Sequence, residues 1–195
     1  MTVVHAGPRD GVVDRLSAHR RALLAAAAGL LVLAAAIHTV LIPEHLQEWV
    51  PAGVFFLVVA TGQALLAIAL RRDRVALLLA AVWSSVATIC VYVWSRTAGL
   101  PFLPAEHDGT AHPEVSHVGH AVGGLGNGVP IFPDGPQASG VEPVAALDLA
   151  ALGAELGVVA ILVYLLPARS RRWTSNGILA CGVLMLVLRG AAGLR

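Results

Sequence analysis

Four long stretches of almost uninterrupted apolar residues, and a weaker fifth, divide the chain into predicted membrane helices. They cover residues 23–42, 52–70, 75–94, about 144–166 and about 174–193. Each is close to the roughly 20 residues that an α-helix needs to cross a hydrocarbon core of about 30 Å. The pattern predicts an all-α integral membrane bundle of five transmembrane helices. Arg189 interrupts the fifth stretch, so four helices plus a peripheral tail are the alternative.

Arginine residues cluster on alternate connections between these stretches. Segment 1–21 holds four, segment 71–74 three and segment 169–172 three, whereas segment 43–51 holds none and segment 95–143 only Arg96. Cytoplasmic loops carry an excess of positive charge. We therefore expect the N-terminus in the cytoplasm and the 95–143 connection outside.

The domain organisation follows from this orientation. Residues 1–21 form a predicted cytoplasmic tail, and residues 22–195 form a single transmembrane helical domain. The external connection over residues 95–143 is rich in Gly, Pro and His and shows no helix or strand period. A connection this long is usually functional or disordered, so we expect irregular structure there.

The composition agrees with a membrane location. Hydrophobic residues make up 57% of the chain and charged residues 13%, compared with about 25% charged residues in soluble domains. The net charge of +1 predicts no nucleic-acid partner. The lipid bilayer is the expected partner, together with another membrane protein or a second copy of the chain. All 13 basic residues are arginine, which is typical of a high-GC genome and points to a bacterial plasma membrane.

A dense polar segment follows the first apolar stretch. His38 lies inside that stretch, and Glu44, His45 and Glu48 follow it closely. Pro43 lies between them and is expected to stop or kink the helix, because proline lacks an N–H and clashes with the preceding turn. His38 and His45 are seven residues apart, which places both on one face of a continuous helix.

The fourth apolar stretch carries two carboxylates. Asp148 and Glu155 are also seven residues apart and share one helix face. A carboxylate at the depth of Glu155 is expected to be protonated or paired. The candidate partners are His38, Arg96 and Arg189. A GxxxG motif, Gly153 and Gly157, lies on the opposite face, so both faces favour protein neighbours and predict a central position for this helix.

These side chains suggest an outward-facing metal site, with no enzymatic activity. Imidazole nitrogens suit zinc and copper, and carboxylates add hard ligands. The predicted ligands are His38, His45 and Glu48, with Glu155 or Asp148 completing the set and copper or zinc as the ion. Arg96 and Arg189 are then charge partners. A solvated exit loop and a structural polar clamp are the alternative interpretations of the same residues.

The external connection contains secondary metal candidates. They are His107, His112, His117 and His120. Their spacing matches no closed zinc site, so a flexible solvated linker is the alternative. Gln63 and Ser84–Ser85, in the middle of the second and third stretches, are predicted to hold helices together.

Three other functions remain open from the sequence. An accessory subunit of a larger membrane complex would use the polar cluster to staple helices. A transporter would need a polar track to the inner side, where the stretches are almost wholly apolar. An enzyme would need catalytic groups, but the sequence contains no nucleophile elbow, phosphate loop or HExxH motif. A b-type haem would need two facing histidines inside the spans, and only His38 qualifies.

Two segments carry a family resemblance. IHTVLIPEHLQEW (37–49) resembles an IHxxLxPEHxxEW segment, and SRTAGLPFLP (95–104) resembles an SRTxGLPFGP segment. The two occur together in small, uncharacterised four-to-five-span membrane proteins of high-GC bacteria. Leu103 and the long insert after Pro104 depart from that pattern. The resemblance implies that six polar residues come together: His38, His45, Glu48, Arg96, Asp148 and Glu155. It brings no known activity with it.

Overall fold

The structure is a computed structural model that describes residues 8–97 and 146–192, and the elements within these ranges are helical. In chain order they are α1 (Pro8–Glu48), α2 (Val50–Ala69), a 3-10 turn (Leu70–Arg72), α3 (Val75–Thr97), α4 (Ala146–Leu165) and α5 (Ala168–Ala192). All five α-helices are long and apolar enough to cross a membrane. The predicted all-α membrane fold is confirmed. Its orientation in the membrane stays a prediction.

Helix α1 is much longer than its apolar stretch. It begins at Pro8, inside the predicted tail, and continues without interruption through Pro43 to Glu48. Of the two effects predicted for Pro43, a stop is therefore wrong, and a kink stays a prediction. Proline removes one backbone donor, but the remaining hydrogen bonds and the packing of α1 against α2 keep the last turns helical.

A single residue joins α1 to α2. Trp49 has an extended backbone (φ −158°, ψ 108°), and Pro51 lies in the first turn of α2, where a missing N–H costs nothing. The two helices turn back on each other at once. A Cβ on Gly53 would meet the side chain of Leu46 and would lie 2.8 Å from its backbone nitrogen. This close approach requires glycine.

Helices α1 to α4 form a four-membered ring. Helix α1 packs against α2 and α4, and α3 packs against α4 and α2. Within the described ranges α2 therefore lies diagonally across from α4. The prediction that α4 is a central helix agrees with its contacts to α1 and α3. Only one glycine of its GxxxG motif is in contact: a Cβ on Gly157 would meet Leu30 of α1, whereas one on Gly153 would meet nothing within 4 Å.

Helix α5 packs on the outside of this ring, against α3 and α4. Only 6% of the 18 most apolar consecutive residues of α5 are buried, compared with 28–39% of the corresponding residues in the other four helices. It begins at Ala168, directly after the turn at Pro167, so the arginines at 169–172 lie in its first turns and not in a connection as predicted. A close contact to α3 is made where Gly177 faces the ring of Trp83.

One end of the ring, here called the arginine end, is closed by polar contacts. Arg20 of α1 donates hydrogen bonds to both carboxylate oxygens of Asp73, at 2.7 and 2.8 Å, and a third to the carbonyl of Leu165 at 3.1 Å. These contacts join α1, the α2–α3 turn and the last turn of α4. The turn between α1 and α2 at Trp49 lies at the opposite end, here called the α1–α2 end.

The pair of Arg20 and Asp73 predicts an acid-dependent loss of stability. The hydrogen bonds from Arg20 hold the pKa of the Asp73 carboxyl below its usual value. The stabilisation is therefore complete above the ordinary Asp pKa of about 3.9. It is lost as the pH falls through the lower pKa that Asp73 has in the folded protein. Both side chains are more than a third exposed (38% and 39%), so screening limits the contribution to about 0.2–1 kcal/mol.

Replacing Asp73 by asparagine tests this. Asp73 has a left-handed backbone (φ 44°, ψ 44°), which asparagine tolerates. Asp73→Asn should unfold more easily than the parent at neutral pH in a detergent unfolding titration, and the difference should disappear in acid. A difference that stays constant across pH would contradict the assignment.

Buried apolar side chains fill the ring in two groups. The larger group lies toward the arginine end and includes Leu31, Leu70, Leu78, Val82 and Leu162, each at most 1% exposed. The smaller group lies toward the α1–α2 end and consists of Ile37, Leu41 and Ala151, with Phe56 and Leu147 packed against it. In a bilayer such contacts stabilise through close packing and not through exclusion of water.

Candidate functional site: a polar cluster inside the helix ring

Each helix of the ring contributes one buried polar side chain to a common centre. They are His38 of α1, Gln63 of α2, Ser85 of α3 and Glu155 of α4, and their exposed fractions are 5%, 0%, 0% and 1%. We call these four residues the polar cluster. It lies between the two apolar groups, within the part of each helix that is long and apolar enough to span a membrane.

Glu155 is the centre of the cluster. Gln63 donates a short hydrogen bond from Nε2 to Glu155 Oε1 across the diagonal of the ring. His38 Nε2 lies 3.8 Å from the same oxygen, which is beyond the usual range for a hydrogen bond of about 2.7–3.2 Å. Ser85 lies beside the carboxyl group, but its hydroxyl makes no hydrogen bond of normal geometry to any residue that the structure describes.

Several polar atoms of the cluster have no hydrogen-bond partner among the described residues. They are both ring nitrogens of His38, the amide oxygen of Gln63, the hydroxyl of Ser85 and Oε2 of Glu155. A buried polar atom without a partner costs about 1–3 kcal/mol. Unpaired groups concentrated at one point therefore require an explanation, such as an ordered water, an ion or a functional role.

An aromatic side chain separates the cluster from the α1–α2 end. The ring centroid of Phe56 lies 5.6 Å from that of His38 and 4.3 Å from that of His45. Both histidines therefore face α2 on one side of α1, as their spacing predicts. His45 Nδ1 lies 2.9 Å from the carbonyl oxygen of Leu41. Because a carbonyl can only accept, Nδ1 donates this hydrogen bond.

The second predicted carboxylate lies nearer the α1–α2 end. Asp148 is 7% exposed and lies two turns before Glu155 on α4, a rise of about 10 Å. Both carboxylates therefore face the inside of the ring, as predicted from their spacing. That rise keeps Asp148 at a different level from the polar cluster.

The predicted metal ligands are only partly brought together. His38 and Glu155 meet, while Phe56 lies between His38 and His45. Among the described side chains, no group of three or more His, Cys, Asp or Glu residues could share a metal ion. The side chains of Glu48 and Arg96, and the loop histidines at 107, 112, 117 and 120, lie outside the described residues. Copper or zinc binding stays a prediction.

The structure places two of the three predicted charge partners of Glu155. Of the three candidates, His38 lies beside the carboxyl group. Arg189 lies on the exposed part of α5, outside the ring. The partners that the sequence did not assign to the site are Gln63 and Ser85, which were predicted only to hold helices together. A sequence feature could have identified both, because each is an uncharged polar residue midway along an apolar stretch.

The cluster provides one acid, one imidazole, one amide and one hydroxyl in a buried setting. Such a set can bind and release a proton or hold a small cation, and it offers no activated nucleophile. Comparison with known proteins adds no identity: no protein-family model matches the chain, and no curated protein or solved structure matches it significantly. The resemblance to a bacterial membrane family stays a prediction.

Proposed function

We propose that this membrane protein reversibly binds one proton inside the bilayer, on the carboxyl group of Glu155. The observation that supports this is the convergence of four buried polar side chains, one from each ring helix, with several atoms left unpartnered. Ionisable residues within membrane spans commonly form proton relays or ion sites. Gln63 orients one carboxylate oxygen, and the other, Oε2, is free to carry the proton.

The charge of the cluster favours a proton over a divalent metal. Glu155 is its only acidic residue, so one proton on the ionised form gives a neutral centre. A zinc ion on the same carboxylate would leave an excess positive charge in an apolar interior, which costs several kcal/mol. Among the described residues, the other titratable groups facing this region are His38 within the cluster, and Asp148 and His45 toward the α1–α2 end.

The roles of the neighbours follow from their positions. The His38 ring is 3.8 Å from Glu155 Oε1, so a movement of about 1 Å would bring the two into hydrogen-bond contact. In that contact the imidazole can accept the proton from the acid or return it. Ser85, on α3, can rotate its hydroxyl to donate to the carboxylate or accept from the acid.

Infrared difference spectroscopy of the protein in nanodiscs tests the proposal. Lowering the pH should produce the carbonyl stretch of a buried, protonated carboxylic acid. The band should be absent in Glu155→Gln and unchanged in Glu44→Gln, a matched control because Glu44 is exposed on α1. A spectrum without a band that depends on Glu155 would overturn the proposal.

Elemental analysis of the same samples tests the metal prediction. If the parent carries one equivalent of zinc or copper that Glu155→Gln and His38→Ala lose, the occupant is a metal ion and the proton proposal is wrong. If the metal content is nil, or equal in parent and variants, the metal prediction is wrong for this cluster.

A structural role is the second candidate, supported by the hydrogen bond between Gln63 and Glu155. That bond crosses the ring from α2 to α4, as expected if the cluster staples helices in an accessory subunit of a larger complex. A staple would hold the ring together without titrating. The pH-dependent band of Glu155 separates the two functions.

A further inference from the structure

The interior of the ring is polar on one side of the cluster and apolar on the other. Toward the arginine end, the buried residues that follow the cluster on each helix are apolar, including Leu31, Ala67, Val82 and Val158. Along α4 the buried residues beyond Glu155 are Val158, Leu162 and Leu165, all apolar, over about 15 Å. Among the described residues of the ring, no buried polar side chain lies between the cluster and the pair of Arg20 and Asp73 at the arginine end.

The opposite side contains groups that can. Asp148 is buried two turns from Glu155, and His45 is half-buried two turns from His38. Because His45 donates from Nδ1 to the carbonyl of Leu41, the neutral ring has its unprotonated nitrogen at Nε2. That nitrogen can accept a proton while the Nδ1 bond is kept. His45 can therefore take up a proton at Nε2 from water at the helix end and release it from the same nitrogen to water on the side of the cluster.

Phe56 interrupts this route. Its ring lies against both imidazoles, with centroid distances of 4.3 Å to His45 and 5.6 Å to His38. A benzene ring neither donates nor accepts a proton, so it blocks a continuous hydrogen-bonded path. Movement of this one side chain would let water join the two histidines.

We propose that the polar cluster exchanges with water through the α1–α2 end alone, and that Phe56 is the side chain that closes this path. This inference rests on the proposed proton binding and adds the end of the ring from which the proton enters. The two are separable, because water access to His38 can be measured whether or not Glu155 titrates.

The test measures deuterium exchange at the C2 carbon of each histidine ring by mass spectrometry, in D2O, on the full chain in nanodiscs. This exchange requires contact of the ring with water. His19, exposed on α1, is the internal reference. In Phe56→Ala the rate at His38 should rise about fivefold, which corresponds to about 1 kcal/mol, while the rate at His19 stays unchanged.

Two matched variants establish the position and direction of the path. Leu57→Ala removes an apolar side chain next to Phe56 that is 51% exposed on the outer surface of the bundle, and it should leave His38 unchanged. Val82→Ala removes buried volume on the arginine side of the cluster and should also leave it unchanged. If either accelerates exchange as much as Phe56→Ala, the proposed path is wrong.

A further variant keeps the test decisive if Phe56→Ala does not fold. Phe56→Leu retains an apolar side chain but not the flat ring, and a smaller increase at His38 is expected. A rate equal to that of the parent in every folded Phe56 variant would overturn the proposal. So would exchange at His38 in the parent as fast as at His19, because no barrier would then exist.

Discussion

Gln63→Leu should lower the free energy of unfolding by about 1–3 kcal/mol, the cost of leaving a buried polar group without its partner. The variant removes the amide that bonds to Glu155 from across the ring. Glu155→Leu should be destabilising for the same reason, since it leaves the Gln63 amide without its acceptor. The measurement is a detergent unfolding titration in mixed micelles.

The double variant separates a pairwise interaction from simple loss of volume. With both Gln63 and Glu155 replaced by leucine, no unpaired amide or carboxyl remains, and apolar replacement of a buried polar pair is often neutral. The double variant should therefore be more stable than the sum of the single changes predicts, with a coupling energy of about 1 kcal/mol. Thr61→Val, on the exposed face of α2, is the control and should be neutral. Strictly additive effects would show that the hydrogen bond stabilises nothing.

Gly53→Ala should destabilise the α1–α2 hairpin by about 1–3 kcal/mol, the usual cost of overpacking. The added Cβ would lie 2.8 Å from the backbone nitrogen of Leu46, so the two helices must separate. A flexible side chain could move aside at small cost, but a backbone atom within a helix cannot.

Gly62→Ala is the matched control on the same helix. A Cβ there meets nothing within 4 Å, and alanine has a higher helix propensity than glycine by up to about 1 kcal/mol. The two substitutions should therefore change stability in opposite directions in the same unfolding titration. If Gly53→Ala is as stable as the parent, the close contact between α1 and α2 is not required.

Gly53 also positions the site. It lies one turn before Phe56 on α2, so a wider hairpin would move the Phe56 ring away from His45 and His38. A secondary effect of Gly53→Ala is faster deuterium exchange at His38. That result would connect the geometry of the turn to access through the α1–α2 end.

The continuation of α1 through Pro43 shows the limit of rules that consider only neighbouring residues. Proline disfavours a helix through one missing hydrogen bond and a clash with the preceding turn. The sequence does not reveal that α2 follows after a single residue and packs along α1. With that neighbour present, the helix continues to Glu48, and the segment predicted to be an exit loop becomes the last turn of α1.

The site was predictable only as far as helix periodicity extends. The spacing of seven residues correctly placed Asp148 and Glu155 on one face of α4, and His38 and His45 on one face of α1. Periodicity relates positions within one helix, but it does not tell which face of a second helix lies opposite. Gln63 and Phe56 were therefore not linked to the histidines and carboxylates that they contact.

The sequence by itself predicted an all-helical membrane protein of five spans, or of four plus a tail, because the thickness of the bilayer demands long apolar stretches and the chain supplies them. It also marked His38 and Glu155, because polar groups at that depth cannot remain in lipid unaccompanied. Only the tertiary structure decided which side chains accompany them. The rotation of each helix about its own axis is set by packing against its neighbours, and it brought Gln63, Ser85 and Phe56 to this centre.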